Sequence, residues 1–513
     1  MNSLNAANIE IPGAVKAWHT SVDAPRWLSQ CRQVHDDGGR LVALWGSDER
    51  EHNAGFAVHC ALATREGLLW LTLPLDAQHP AYPDISVIFP VAARMQRAVY
   101  DLLGLHAADA ADQRKWLRHA AWPDGQFPLR KDFVASLQTD AANDDYPFVH
   151  VSGDGVHEIP VGPVHAGTIE PGHFRFSVVG ERVLRLEERL GYAHKGIEKR
   201  FEALSLTQGA RLAGRISGDS TVAYAWAYAM AVESVTNATV PQRALWLRAL
   251  FLERERIANH LGDLGYLGGD AALSFGFTQF WILKEQMLHL NKALFGHRYL
   301  MDCVIPGGVA ADVSAADAAQ LMRETDALEQ TVKTLHAIYD EHAGVQDRFL
   351  TTGIVTPALA AQLGLVGLAG RASAQAWDLR AQRPCAPYHE LDMRMATHRN
   401  GDVAARVSVR FEEITESLRL IRRILTLIPE GPARSGFPPA APRALGVGWI
   451  EGWRGEVLVA LHTNDIGGIA RLHAHDPSWQ NWPLLEHAVI GNIVPDFPLI
   501  NKSFNLSYSG HDV

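Results

Sequence analysis

Apolar and polar positions follow two rhythms along this chain. Leu41–Trp45 and Leu68–Leu73 are short apolar runs of strand length. From Arg94 to Leu105 the rhythm changes. Met95, Val99, Leu102 and Leu103 recur at helical spacing and predict an amphipathic helix. Residues 1–20 show neither rhythm and read as a loose tail. Phe174 to Leu190 alternates on either side of Gly180-Glu181, the pattern of a β-hairpin. A helix is predicted from Ser220 to about Val235, with Ser217 or Asp219 suited to cap it. Another covers Gln242–Leu261, where Leu245, Ala249, Leu252 and Arg256 share one face. Phe280–Phe295, Ala315–Glu341 and Val403–Ile428 complete the long helices, with Gly296 and Gly344 near the ends of the first two. Pro429–Pro442 carries five prolines and reads as a loop, and Glu451–Glu456 begins a small hairpin.

Composition narrows the class. The chain has 513 residues, 47% of them hydrophobic, enough for more than one core. Lys and Arg number 47 against 57 Asp and Glu, a net charge of −10. A mildly acidic chain with scattered cations argues against a nucleic-acid binder. No apolar run reaches the roughly 18 residues that span a bilayer, and the N-terminus lacks a basic-then-apolar signal pattern. The polar, acidic Ala141–Asp145 marks a boundary. The expected organisation is a tail over 1–20, a small α/β domain over 21–140, and a large domain over 143–513. That second domain is mainly helical with small antiparallel sheets, so the fold class is α+β.

The four cysteines, Cys31, Cys60, Cys303 and Cys385, have no Cys-x-x-Cys spacing, so neither a zinc nor an iron–sulfur motif can be read. Idle reduced thiols fit them best. His473-x-His475-Asp476 lies on a predicted strand with both imidazoles on one face; a third ligand is not evident, and surface imidazoles are the simpler reading. Gly446-x-Gly448 is too short for a dinucleotide fingerprint.

Several motifs follow one another in a recognisable order. His157-Glu158-Ile159-Pro160-Val161-Gly162-Pro163-Val164-His165 precedes Glu170-Pro171-Gly172-His173. Lys195-Gly196-Ile197-Glu198 and Arg215-Ile216-Ser217-Gly218-Asp219-Ser220 follow, and Ala376-Trp377-Asp378-Leu379-Arg380 and Pro495-Asp496-Phe497-Pro498-Leu499 come later. This order resembles the large subunit of group 4 nickel–iron hydrogenases, the formate hydrogenlyase or energy-converting type. It is also similar to the quinone-site subunit of respiratory complex I. In the first domain, Ala98–Gly104 and Phe127–Asp132 resemble the small α+β subunit (30 kDa) that partners it there, implying a fusion of the two.

The resemblance implies a subunit of a membrane-associated, energy-converting oxidoreductase complex, engaged in electron transfer or proton coupling. Its implied partners are an iron–sulfur small subunit, a ferredoxin-like subunit and antiporter-like membrane subunits. Its implied place is cytoplasmic, on the inner face of the inner membrane. Iron–sulfur clusters are expected in the partners, and no cofactor in this chain. The family holds its nickel–iron centre with four cysteine thiolates, which the metals require. The matching positions here are Ser217, Ser220, Ser507 and Gly510, so a metal is expected at none of them, and helix capping is the expected role of Ser217 and Ser220. Leu212 stands at the quinone-binding tyrosine position. His165 matches a histidine of the complex I motif, although a turn histidine is more often a structural hydrogen-bonder. Glu198 matches the hydrogenase glutamate that passes protons; a buried carboxylate with a raised pKa suits that task. The bland alternative for Glu198 is an exposed helix residue paired with Lys195. Chemistry predicts a polar cavity lined by Glu198, His165 and Arg215. A non-catalytic scaffold, the alternative function, predicts apolar filling.

Overall fold

The computed structural model describes residues 8–52, 54–119, 122–134, 145–167 and 169–513. The N-terminal part is built on a five-stranded sheet of β1 (Ile9–Ile11), β2 (Ala17–Ser21), β3 (Arg40–Asp48), β4 (Phe56–Ala63) and β5 (Leu68–Leu75), in the order β1-β2-β5-β4-β3. β3, β4 and β5 form an antiparallel meander, and β2 joins it in parallel to β5, Ala17 opposite Leu68. Residues 9–21 are therefore part of a sheet and not a loose tail. β1 pairs with β2, and β2 with β5 some fifty residues on, beyond the reach of local pattern. Helices α1 (Ala24–Asp36) and α2 (Ala92–Leu103) cover this part. The expected boundary at 141–145 lies, up to residue 144, outside the described residues.

The larger part opens with a three-stranded sheet, β6 (Val156–Val161), β7 (His173–Val179) and β8 (Arg182–Arg189), whose β7–β8 hairpin turns at Gly180-Glu181 as expected. The short helix α3 (Ile197–Phe201) leads to a bundle of α4 (Thr221–Thr236), α5 (Gln242–Asp270), α6 (Ser274–Phe295), α7 (Ala315–Glu341) and α8 (Val403–Leu427). A last antiparallel sheet, β9 (Leu445–Glu451), β10 (Glu456–Thr463) and β11 (Ile469–His475), packs on α4. Glu451–Glu456 is the turn between β9 and β10, one strand later than the sequence reading places the hairpin's start.

All sixteen residues of α4 are buried. Small residues let its backbone press against the sheet: a Cβ at Gly446 or Gly448 would lie 2.3 Å from the Ala231 carbonyl oxygen or 1.8 Å from that of Ala227. The Gly446-x-Gly448 pair thus serves helix–strand contact.

α5 runs nine residues past the predicted Leu261. Gly262, Gly265 and Gly268 stay helical because Lys284, Trp281 and Tyr339 pack onto them, so tertiary contact overrides their low helix propensity. Gly344 lies inside a further short helix, Ala343–Phe349, and α7 ends instead at His342.

The two parts share their interior. Arg40 pairs with Glu456, the Gln480 amide reaches the Val42 carbonyl, Arg471 the Gly46 carbonyl, and Lys131 Nζ the Ala470 carbonyl. Among the described residues no helix is long and apolar enough to cross a membrane.

Candidate functional site

The four positions singled out in the sequence converge. Ser217 and Ser220 lie in the turn that enters α4; Ser507 and Gly510 belong to the short helix Tyr508–His511 and its cap. Ser217 Oγ is 2.9 Å from Ser507 Oγ and donates to Asp219 Oδ1 at 2.8 Å. Ser507 Oγ accepts the Gly510 amide at 2.9 Å. The Arg454 guanidinium donates to Asp219 Oδ1 at 2.8 Å and to Ser220 Oγ at 3.2 Å. Asp219 is held down to about 2: burial pushes its carboxyl up, and Arg454 outweighs it.

A nickel–iron centre does not fit these residues. Serine hydroxyls are not thiolates, and two of them, Ser217 and Ser507, are hydrogen-bonded to each other. A Cβ at Gly510 would lie 2.4 Å from Asp476 Oδ2 and 2.9 Å from Ser507 Oγ, so the packing excludes a cysteine there. Tyr224 holds Asp476 in that position through its hydroxyl at 2.7 Å. Cys31, Cys60 and Cys303 are buried elsewhere, and Cys385 is half-buried.

Capping is not what Ser217 and Ser220 do. Ser220 stands at the N-cap of α4 but makes no side-chain bond to the helix. The free amides of Val222 and Ala223 are taken by Glu255 of α5, at 2.7 and 3.2 Å. Burial, reinforced by the Asp219 charge, outweighs these amides and pushes the Glu255 carboxyl up to about 8. No local pattern marks Glu255 as a cap, because it lies a helix away in sequence.

Glu198 is 3% exposed, so it is not a solvent-facing helix residue paired with Lys195. It bonds Arg471 Nη2 at 2.7 Å, His473 Nδ1 at 2.7 Å and the Ala474 amide at 3.1 Å. Burial alone would raise its pKa, but Arg471 and His473 hold it down to about 2, opposite to the expected direction. His473 and His475 are buried rather than surface imidazoles, because the N-terminal part covers their strand; the His473 ring stacks on Trp45 at 5.0 Å. The small cavity beside Glu198, about 30 Å³, is walled mainly by apolar residues such as Leu44, Met95, Val99 and Leu102.

His165 and Arg215 do not line this cavity. His165 Nε2 is bonded to the Gly172 carbonyl at 2.9 Å, the structural role of a turn histidine, and His173 Nδ1 to the Gly162 carbonyl at 3.1 Å. Arg215 pairs bidentately with Asp302, at 2.6 and 2.7 Å, half in solvent.

Composition and spacing gave no sign of a second feature, a run of buried ionised groups through α5, α8 and the segment between α7 and α8. Arg380 bonds Glu253 at 3.1 Å and Asp378 at 2.7 Å. Arg371 bonds Glu413 at 2.6 Å and Glu451 at 2.8 Å. His260 meets Glu413 at 2.7 Å, and Arg410 meets Asp263 at 2.9 Å. Burial and the Asp378 charge push Glu451 up to about 7. Strings of charge this deep are costly to desolvate and mark positions where protonation matters.

Residues 20–139 match the family described as the respiratory-chain NADH dehydrogenase 30 Kd subunit, and residues 270–446 the family described as its 49 Kd subunit. The chain is 32% identical to formate hydrogenlyase subunit 5 of Escherichia coli (strain K12), over 99% of this chain and 92% of that protein. It is 30% identical to the NADH-quinone oxidoreductase C/D subunit of Phocaeicola vulgatus, over 82% of this chain and 85% of that one. A chain of the membrane-bound sulfane sulfur reductase, an archaeal respiratory membrane complex, superposes with a TM-score of 0.66 at 25% identity, covering 71% of this chain and 100% of that chain.

Proposed function

Because this chain belongs to the family of formate hydrogenlyase subunit 5, hydrogenase-4 component G and the NADH-quinone oxidoreductase C/D subunit, we propose that it serves a membrane-associated, energy-converting oxidoreductase complex without a nickel–iron centre of its own. The observation that carries this reading is the Ser217–Ser507 hydrogen bond, which closes the space between the ligand positions. The neighbouring Arg454–Asp219 pair and the blocked Gly510 support it. The chain docks peripherally, on the cytoplasmic face, through an iron–sulfur small subunit, a ferredoxin-like subunit and antiporter-like membrane subunits.

Its part in the complex is proton coupling. Glu198 stays ionised at neutral pH and does not exchange protons there. Glu255, at about 8, and Glu451, at about 7, titrate where the cell works. Glu255 sits between Asp219 and the buried ionic run. A proton gained or lost there changes the balance of charge around Arg256, which lies 3.5 Å from Glu413. A redox event in a neighbouring subunit would be felt through that balance.

The test is the metal content of the native complex purified through this chain, followed by turnover of a Glu255→Gln form. Iron without stoichiometric nickel, and a coupled activity that falls at least tenfold in the variant, support the reading. Stoichiometric nickel overturns the first part. A fully active Glu255→Gln complex overturns the second and leaves the scaffold, which the apolar walls of the Glu198 cavity favour.

A further inference from the structure

Outside the serine cluster, three side chains from both parts of the chain meet where the two parts join. Glu49 follows β3, His59 lies on β4 and His462 on β10. One ligand-type atom from each lies within 4.8 Å of the other two. We propose that Glu49, His59 and His462 bind a divalent first-row transition ion, zinc most readily, and that this ion fastens the N-terminal sheet to the C-terminal one.

The donor set is two imidazoles and a carboxylate, the combination that suits zinc with a water in the remaining position. Tetrahedral ligands stand roughly 3.4 Å apart at the usual zinc–ligand distances, so closing the site takes side-chain rotation of about an ångström. His462 Nε2 is buried and has no hydrogen-bond partner among the described residues, and such an atom is costly unless something fills its lone pair or takes its proton. The His462 ring stands against His59 and Trp70, at 5.0 and 4.9 Å between centroids, which fixes its plane.

His59 has a hydroxyl on each nitrogen: Ser47 Oγ at 2.9 Å from Nε2 and Thr72 Oγ1 at 2.9 Å from Nδ1, with the Trp70 indole N–H at 3.3 Å from Nδ1. Whichever nitrogen binds, its hydroxyl turns aside and the opposite hydroxyl orients the ring, as outer partners of metal-bound histidines do. Burial keeps both imidazoles neutral, the state that binds metal: His59 lies well below its ordinary range, and His462 falls to about 3. The cations nearest to His462 are already matched, Arg471 by Glu198 and Lys131 by Glu202 at 3.0 Å.

The test uses the full-length chain, stripped with chelator and titrated with cobalt(II) as a spectroscopic probe and then with zinc. The expected result is one equivalent of cobalt with visible ligand-field bands, displaced by zinc, and a melting temperature that rises with zinc. His462→Gln keeps the fold, because its ring makes no hydrogen bond among the described residues, and loses the bands and the thermal shift. Glu49→Gln weakens binding roughly tenfold or more. His289→Gln, on the exposed face of α6, leaves binding unchanged. The proposal is overturned if the folded wild-type chain takes up no cobalt, or if the His462 and Glu49 variants bind it as tightly as wild type does.

Discussion

Ser217 and Ser507 are 290 residues apart in sequence and share a hydrogen bond of 2.9 Å between their hydroxyls. The bond joins the turn before α4 to the last helical turn of the chain. It sets the geometry of this cluster, since Asp219 and Gly510 are held through the same two oxygens. Removing either hydroxyl leaves a buried partner unsatisfied, at about 1–3 kcal/mol. Ser217→Ala and Ser507→Ala should each destabilise by that amount, and the double variant by less than their sum. Chemical denaturation of the four chains of the cycle measures the coupling, and strict additivity would contradict it.

Restoring cysteine at all four positions should not restore a metal centre. The Gly510→Cys substitution meets Asp476 before it meets a metal. The quadruple variant is expected to be unstable and free of nickel; a folded variant carrying stoichiometric nickel would show that this region repacks.

Glu255 predicts a pH dependence of stability with a definite sign. Its pKa is raised in the folded state to about 8, so between the ordinary carboxylate range and pH 8 the folded chain holds a proton that the unfolded chain has lost. Stability therefore falls as pH rises through that window, by up to roughly 1.4 kcal/mol per unit for this group. Glu255→Gln should flatten the slope between pH 5 and 8. An unchanged slope in thermal or urea unfolding would refute the assignment.

Glu198 acts in the opposite sense. Its pKa is depressed to about 2, so the stability it contributes is present above the ordinary carboxylate range and is lost as pH falls toward 2. Glu198→Gln leaves Arg471 buried without its carboxylate and should cost about 3–5 kcal/mol at neutral pH, less in acid. Urea unfolding at pH 7 and pH 3 separates the two.

Gly448 is one of the sharpest steric positions in the core. Gly448→Ala forces a methyl group to within 1.8 Å of the Ala227 carbonyl oxygen, and α4 has no free side to retreat into. A loss above about 4 kcal/mol, or failure to fold, is expected. A soluble variant with an unchanged unfolding midpoint would mean that helix and sheet are less tightly apposed.

Local chemistry made some elements legible. α7 begins where its sequence says, because Ser314 and Asp317 form a capping box at its start. The β7–β8 hairpin was legible from its turn, and β3 and β5 from their apolar runs. β1 and β2 were not, since β2 is anchored by a long-range parallel pairing to β5 and β1 only by β2. Strand alternation put His473 and His475 on one face, but only the packing of Trp45 shows that this face is covered. The same limit applies to Glu198, whose partner Arg471 lies 273 residues away. The four positions that the resemblance singled out meet in space; His165 and Arg215 do not reach the Glu198 cavity, because their partners are a turn carbonyl and Asp302.

The contacts that cross between the two parts join a shared apolar core to ion pairs such as Arg94–Glu188 and to hydrogen bonds from side chains to strand carbonyls: Gln480 to Val42, Arg471 to Gly46 and Lys131 to Ala470. Between separate molecules such contacts would have to overcome the loss of translational freedom. A covalent link removes that barrier, because each half meets the other at an effective concentration set by the connecting segment. The pair is then always one to one, and dilution cannot separate them. If the halves were made as two polypeptides, the same interface would become the step that limits assembly.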